Sequence, residues 1–298
     1  MVMSLEKYIW RVIELGRKDG ISNIAAERAI FDYVTAGKSP PTLLLTEWEP
    51  TVSLGRSQNY RLDVDEKACR KHGVGIVRRH SGGQAVYIDE GYFVFSAIAS
   101  TKKLTSDVTY LRKSFCDIAV ETLNKMNIPA RFYQPDNLVV MDPYHKTLGN
   151  SGQVIRPNMA VVAQGSIRHH ISDIDIMLDV LKVNGHKLQQ HTDEIRSILT
   201  DTVSYNPEMD KDSLKKSFID IFFSHKGRYE NGRLTYDEME KAKDIAEKEK
   251  KSEWIVGDDS YHSRGVCYFF LNGKNLVPSL NEFLAYNEPS TVNDSIVK

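Results

Sequence analysis

Two stretches of the chain set cationic side chains beside glycines, a pairing suited to an anionic ligand. In VRRHSGGQAVY, residues 77–87, Arg78 and Arg79 run into Ser81, Gly82, Gly83 and Gln84 before an apolar alternation resumes at Ala85 and Val86. Glycine lets a ligand approach the backbone closely, and adjacent cations with nearby N–H groups point to a phosphate or a carboxylate. Strand alternation sends Arg78 and Arg79 to opposite faces, so at least one of them leaves the solvent side or meets a partner. From Ser-Gly-Gly alone, a plain hairpin turn with incidental arginines reads equally well. A P-loop is excluded, because no helix and no Lys-Ser/Thr ending follow. The dinucleotide fingerprint also requires a helix where a strand pattern follows here.

The second stretch is HKTLGNSGQ, residues 145–153, with Lys146 in a polar, glycine-bearing loop between strand patterns. A lysine there is either solvated or aimed at an acyl carbonyl or phosphate, where a point cation stabilises developing negative charge. In VVAQGSI, residues 161–167, alternation breaks at Gln164, Gly165 and Ser166, which fits a wall of the same cavity. His169, His170, His186 and His191 lack metal-ligand spacing and read as solvated or structural. The run KAKDIAEKEKK reads as a solvated helix face.

Elements that position these residues follow from periodicity. ISNIAAERAIFDYVTAGK carries Ile21, Ile24, Ala25, Ala29 and Ile30 on a helical period, with Ser22 as N-cap and Pro40-Pro41 as the stop. TLLLTEW and TVSLG read as strands, and 63–72 as a helix ending at Gly73. VGIVRR, AVYI and YFVFSAIA are three strand patterns, joined by HSGGQ and DEG, each short enough for an antiparallel hairpin. A helix spans 107–127, and NLVVMD and MAVVAQGSI are strands around a polar excursion. Further helices follow; in the last, Thr235 and Glu238 fit a capping box. GVCYFFL is a strand-like piece before a polar tail. Antiparallel strand groups interleaved with helices indicate an α+β fold.

A chain of 298 residues can bury a substantial core, and 41% apolar with 27% charged residues is ordinary for a globular protein. Lys and Arg total 39 against 40 acidic residues, which argues against nucleic acid as the main partner. No apolar run is long enough for a membrane span or signal peptide. The three cysteines, Cys69, Cys116 and Cys267, form neither a disulfide framework nor a zinc pattern. The expectation is a cytoplasmic protein without a membrane partner.

Taken in order, NIAAERAIFDY, PPTLLLTEWEPTVSLGRSQN, VRRHSGGQAVY, DNLVV, KTLGNSGQ and QGSI resemble the lipoate–protein ligase family. LTYDEMEKAKDIAEKEKKSEW extends the likeness more weakly, for a coverage of residues 20–255. The resemblance implies an α+β catalytic domain over 1–255, related to biotin–protein ligases, with a mixed, largely antiparallel sheet flanked by helices. It leaves 256–298 as a short C-terminal extension. It also implies lipoyl-AMP formation from lipoate and ATP with Mg²⁺, then lipoyl transfer to one lysine of a lipoyl carrier domain. Arg78, Ser81, Gly82, Gly83, Gln84, Ala85 and Val86 would then bind the acyl-adenylate. Lys146 would be the catalytic cation, with Gly149 and Asn150 shaping the adenylate pocket and Gln164, Gly165 and Ser166 its opposite wall. Trp48, Val52, Gly55 and Arg56 lie where that family lines its acyl tunnel. Such a tunnel must be apolar, since each buried CH₂ contributes about 0.8 kcal/mol. The carrier lysine's neutral amine attacks the mixed anhydride, so no covalent nucleophile on the enzyme is required.

Three departures shape the alternatives. Gln84 replaces the loop's third glycine, where related octanoyltransferases also place a bulkier residue, which makes acyl transfer between carrier proteins the main rival. Those enzymes work through a cysteine just before the strand that is NLVV here, and ARFYQPDNLVV has none. The carboxylate near the metal is displaced by one position, to Asp136 before Asn137, and a one-residue shift changes strand face. The residues after Trp254 are too few for the family's accessory domain, which implies a separate accessory subunit. A non-catalytic module that binds lipoate or a carrier is the rival outside enzymes, opposed by the joint presence of Arg78 and Lys146. The GRGRxG loop of biotin–protein ligases does not occur.

Overall fold

Most apolar runs of the sequence become strands of one large sheet, and the helices cover its two faces. The computed structural model describes residues 9–100, 108–133, 137–140, 146–156, 160–183, 185–189 and 192–257. In chain order the first elements are β1 (Trp10–Lys18), α1 (Gly20–Thr35), β2 (Thr42–Trp48), β3 (Thr51–Leu54), α2 (Tyr60–Asp63), α3 (Glu66–His72), β4 (Gly75–Arg78), β5 (Val86–Ile88) and β6 (Tyr92–Ser100). Next come α4 (Val108–Lys125), β7 (Ala130–Tyr133), β8 (Asn137–Val140), β9 (Thr147–Arg156), β10 (Ala160–Arg168) and α5 (Ile174–Val180). The remainder are β11 (Lys182–Val183), β12 (His186–Lys187), α6 (Thr192–Ile198), α7 (Lys211–Lys226), β13 (Tyr229–Asn231), α8 (Tyr236–Glu249) and α9 (Ser252–Val256).

The large sheet has the order β13-β1-β2-β6-β10-β9-β8-β7. β1 runs parallel to β13 and β2, and every later neighbour pair is antiparallel. A second sheet, β4-β3-β5, pairs β3 parallel to β4 and antiparallel to β5. The fold is therefore α+β with a mixed, largely antiparallel sheet, as the sequence indicated.

Period-two alternation divides the large sheet into two differently used faces. Leu43, Leu45, Phe93, Phe95, Ala97, Val161 and Ala163 turn one way, onto Ile118 and Leu123 of α4 and Phe218 and Phe222 of α7. The Phe218 ring sits 4.3 Å from Phe95 and 5.3 Å from Phe93. The other face sends Leu44, Ile98 and Val162 onto Ile30, Phe31 and Val34 of α1. α1 is covered in turn by α8, whose Ala242, Ile245 and Ala246 pack on Ala25 and Ala29. The small sheet carries its own core around Val52, Leu54, Val77 and Val86.

The structure departs from the sequence reading where a long-range partner decides. Asp19, not Ser22, caps α1: its carboxylate accepts the Ser22 N–H at 2.9 Å. The single helix expected over 63–72 is two, because Val64 forms a bridge with Leu181 and Asp65 starts a new helix as N-cap. Gly73 ends α3 in the left-handed region at φ 67° as expected, and the capping box of Thr235 and Glu238 is formed. The polar excursion after NLVV contains β9, and β1 carried no signal that was read. HSGGQ is not a hairpin: β4 and β5 both flank β3 and do not pair with each other. DEG is not one either, because β5 and β6 belong to different sheets. GVCYFFL lies outside the described residues.

Candidate functional site

Strand register assembles the floor of a pocket. Leu44, Ser96 and Gln164 form one row across β2, β6 and β10, and Thr46, Val94 and Ser166 form the row two residues along. All six therefore share the face beneath α1. Asn23, Ile24 and Glu27 of α1 close the pocket from above. Trp48, Ser53, Val86 and Ile88 form apolar and polar walls, and Arg79 with Gly83 closes the side of the glycine loop. The chamber thus joins a hydrocarbon-lined part to a rim of polar atoms, the arrangement a small amphipathic ligand requires.

Glu27 is the titratable centre of this chamber. Gln164 Nε2 donates to its two oxygens at 2.7 and 2.8 Å, and Ser96 Oγ donates to the same carboxyl group. Burial pushes the Glu27 carboxyl above the usual carboxylate range, against the opposing hydrogen bonds from Ser96 and Gln164 and the charges of His80 and Arg79. A raised carboxyl pKa means that the folded state binds its proton more tightly than the unfolded chain. Ionisation of Glu27 therefore costs stability as pH rises from the unfolded pKa through the folded one. Glu27→Gln removes that cost while retaining a hydrogen-bonding amide. Its melting temperature relative to the parent is expected to rise across that interval and level off above it, as thermal unfolding at a series of pH values would show. A difference independent of pH would refute a charge-based origin.

Asn23 Oδ1 and Ser166 Oγ are buried pocket atoms without a hydrogen-bond partner among the described residues. Unmet polar atoms in an enclosed site are costly unless a ligand or water meets them. Arg79 braces the loop beside them: Nη1 donates to Ser53 O at 2.7 Å, and Nη2 donates to Gly82 O at 2.8 Å and Gln84 O at 2.7 Å. Gly83 takes φ 91°, a conformation that suits glycine. A Cβ on Gly55 would lie 2.0 Å from Gly83 O, a backbone atom, so the end of β3 and the glycine loop touch with no space between them. Gly55→Ala must displace the loop by more than an ångström. The expected result is that any reaction carried out in this pocket slows about 100-fold, the cost of a misplacement of that size. Steady-state rates on a soluble, folded variant check it.

The structure sorts the residues singled out in the sequence. Trp48, Gly83, Val86, Gln164, Gly165 and Ser166 come together around the pocket. Arg78 does not: it is 1% exposed and directed away, its guanidinium donating to the carbonyls of Gly55, Arg56, Gln58, Trp254, Ile255 and Val256. The expected division of the two arginines holds, and it is Arg79 that lines the pocket. Val52 and Ala85 are core residues, and the Ser81 side chain is buried behind the loop. Gly82 and Arg56 are exposed, and Gln84 is half-buried. Arg56 N donates to Ser81 O at 2.9 Å.

Lys146 is half-buried, lies outside any strand and immediately precedes β9. The next residue is fixed by Arg168, fully buried, whose Nη1 donates to Thr147 O at 2.9 Å. Gly149 lies in β9, where a Cβ would meet Ser166 O at 2.0 Å, so β9 closes tightly on the pocket strand β10. Asn150 pairs with Ser166 in register. Asp136 lies outside the described residues, among which no cluster of three or more His, Cys, Asp or Glu could hold a metal. Cys69 in α3 and Cys116 in α4 are buried and absent from the pocket lining. Burial, reinforced by Asp65, Glu66 and Asp179, pushes the Cys69 thiol up to about 12. Among the described residues no helix is long and apolar enough to cross a membrane.

Residues 19–223 match the family model of the lipoyl protein ligase A/B catalytic domain. The chain belongs to this family. Octanoyltransferase LipM of Kyrpidia tusciae is 26% identical over 277 residues, covering 82% of this chain and 97% of that protein. Octanoyltransferase LipM of Anoxybacillus flavithermus is 36% identical over 97 residues, a match that spans 32% of this chain and 34% of that one. A bipartite lipoate protein ligase from Thermoplasma acidophilum, studied with its E2 lipoyl domain, superposes with TM-score 0.76 at 22% identity. That likeness covers 84% of this chain and 97% of the other, and it establishes a shared fold. A lipoate-protein ligase A bound with ATP has TM-score 0.72 at 21% identity, over 84% and 99% of the two chains.

Within this family fold, sequence reasoning passed over Glu27, Ser96, Asn23 and Thr46. Two signals were available. Glu27 follows Ile24 by three residues, on the apolar stripe of its helix, and Ser96 interrupts the all-apolar run of β6. A polar residue on a buried stripe needs a partner, and here the two partner each other.

Proposed function

We propose that this chain transfers an eight-carbon acyl group, octanoyl or lipoyl, to a lysine of a lipoyl carrier domain. The observation that carries the reading is the pocket, in which the polar residues Glu27, Ser96, Gln164 and Ser166 adjoin hydrocarbon walls from Ile24, Leu44, Trp48, Val86 and Val94. A chain buried there gains about 0.8 kcal/mol per CH₂ and presents its carboxyl carbon at the polar rim. The neutral lysine amine of the carrier attacks that carbon. A C–N bond forms, the bond to the donor's leaving atom breaks, and the amine proton passes to the departing group. Lys146 supplies positive charge to the acyl oxygen.

The leading donor is an octanoyl thioester on another carrier protein, supported by the similarity to the Kyrpidia octanoyltransferase over 82% of this chain and 97% of that protein. A second donor, acyl-AMP made from lipoate and ATP, has an observation of its own: no described cysteine lines the pocket. A covalent thioester relay needs an activated thiol within reach of the acyl group. For the ATP route we propose a separate accessory chain that aids adenylation, and no step is assigned to Mg²⁺.

The test is the intact mass of an apo lipoyl domain after incubation with the protein and one donor at a time: octanoyl carrier protein, lipoate with ATP and Mg²⁺, or synthetic lipoyl-AMP. Gain from the octanoyl carrier alone establishes the transferase. Gain from lipoate and ATP establishes a complete ligase, and gain from lipoyl-AMP without it establishes dependence on a second subunit. No gain from any donor would overturn the enzyme reading.

A further inference from the structure

The carbonyl end of α9 rests against the back of the glycine loop. Arg78 donates to Trp254 O at 3.1 Å, Ile255 O at 3.0 Å and Val256 O at 3.0 Å. The same guanidinium holds Gly55 O and Gln58 O at 2.9 and 2.8 Å on the other side. Trp254 returns the contact, since its Nε1 donates to Arg78 O at 2.9 Å. Its ring lies against His80, with centroids 4.8 Å apart. His80 in turn pairs with Glu249 at 2.5 Å, side chains 17% and 9% exposed. Residues 78 and 80 are thus gripped by the end of α8 and by α9.

Arg79, between them, turns the opposite way into the pocket and holds the carbonyls of Gly82 and Gln84. Successive Cα atoms are about 3.8 Å apart, so a shift of residue 78 or 80 carries Arg79 with it. Gly55 against Gly83 leaves no slack to absorb that shift. Six carbonyls around one buried arginine make the grip directional as well as apolar, because a guanidinium's donors form a rigid fork.

We propose that Trp254, with Arg78 and His80, latches α9 onto the glycine loop and so sets the position of Arg79 and Gly83 for the acyl donor. Trp254 is a positioning residue. The kinetic half of this inference rests on the acyl-transfer reading, whereas the mechanical half does not.

The experiment compares parent, Trp254→Ala and Trp254→Phe by hydrogen exchange of the peptide covering 79–86, then by steady-state kinetics. Trp254→Ala is expected to speed exchange in 79–86 about tenfold, the scale of one lost hydrogen bond, with β6 and β10 changing far less. Trp254→Phe keeps a ring on His80 but loses the bond to Arg78 O, so its exchange falls between the two. With an active donor, KM for that donor rises about tenfold in Trp254→Ala, while kcat and KM for the carrier domain hold within about twofold. Unchanged exchange in 79–86, or an equal rise across β6 and β10, overturns the latch. So does a kinetic loss confined to kcat. If Trp254→Ala does not fold, the same exchange comparison on Trp254→Phe decides. If the parent acylates with no donor, the function reading falls and the exchange data still judge the latch.

Discussion

Lys146→Ala is expected to lower carrier-lysine acylation by about 10²–10³-fold, the range found when one preorganised charge or donor is removed from an oxyanion site. In the proposed reaction the attacking amine is neutral and the acyl oxygen gains negative charge, so a fixed cation would stabilise the transition state more than the ground state. The backbone next to this lysine is firmly held. Arg168 and Thr200 N–H both bond Thr147 O, at 2.9 and 3.1 Å. Two residues further on, Gly149 closes β9 onto Ser166 of the pocket. Removing the side chain leaves all of those contacts intact, so the variant should keep the parent's melting temperature and its affinity for octanoate. The loss then falls on kcat/KM, measured by intact mass against time with saturating carrier domain. Lys146→Arg should recover little, because a planar fork does not substitute for a compact point charge. A Lys146→Ala protein within about threefold of the parent rate would remove Lys146 from the proposed reaction.

Glu238→Ala carries the largest expected loss of stability, about 3–5 kcal/mol, because it leaves a buried arginine without its counter-charge. Arg11 Nη1 and Nη2 donate to Glu238 Oε2 and Oε1 at 2.8 and 2.7 Å, and Nε and Nη2 also reach Thr42 Oγ1. The Glu238 carboxylate further accepts Ser39 Oγ at 2.7 Å and the Thr235 N–H at 2.8 Å, completing the cap of α8. One residue therefore ties β1, the entry to β2 and the start of α8, which in turn covers α1 above the pocket. Burial alone pushes the carboxyl up, but the hydrogen bonds from Arg11, Thr235 and Ser39 and the Arg11 charge outweigh it and hold it below the usual range. A depressed carboxyl pKa gives stability that is present above the unfolded value and lost as pH falls through the folded one. Denaturant unfolding of parent and Glu238→Ala should therefore differ most near neutral pH and converge in acid. A gap that persists unchanged below both pKa values would assign the loss to packing.

These two residues show how differently sequence and structure speak. The capping box of Thr235 and Glu238 is a local signal, three residues apart, and was legible as written. That its glutamate also neutralises Arg11, more than two hundred residues earlier, was not, because no periodicity connects distant segments. The same division runs through the site. Alternation placed Arg78 and Arg79 on opposite faces, and the glycines marked a close backbone approach. Local pattern could not say which arginine faces the pocket, since that depends on where α9 lies, and α9 comes from the far end of the described chain.

By itself the sequence determined the α+β class, α1, the strands of the small sheet and half of those of the large one, the stop at Gly73, and the ordered motifs that mark a lipoyl ligase-type catalytic domain. These rest on propensity, capping and spacing, all of which act within a few residues. Only the tertiary structure decided that β4 and β5 both flank β3, which turns an expected hairpin into a loop crossing the end of a strand. It also placed Glu27 of α1 over Ser96 and Gln164 and assigned Arg78 to α9 rather than the pocket. Strand partner, helix docking and burial of a charge are properties of contacts between segments far apart in the chain, and their free energies exist only once those segments meet.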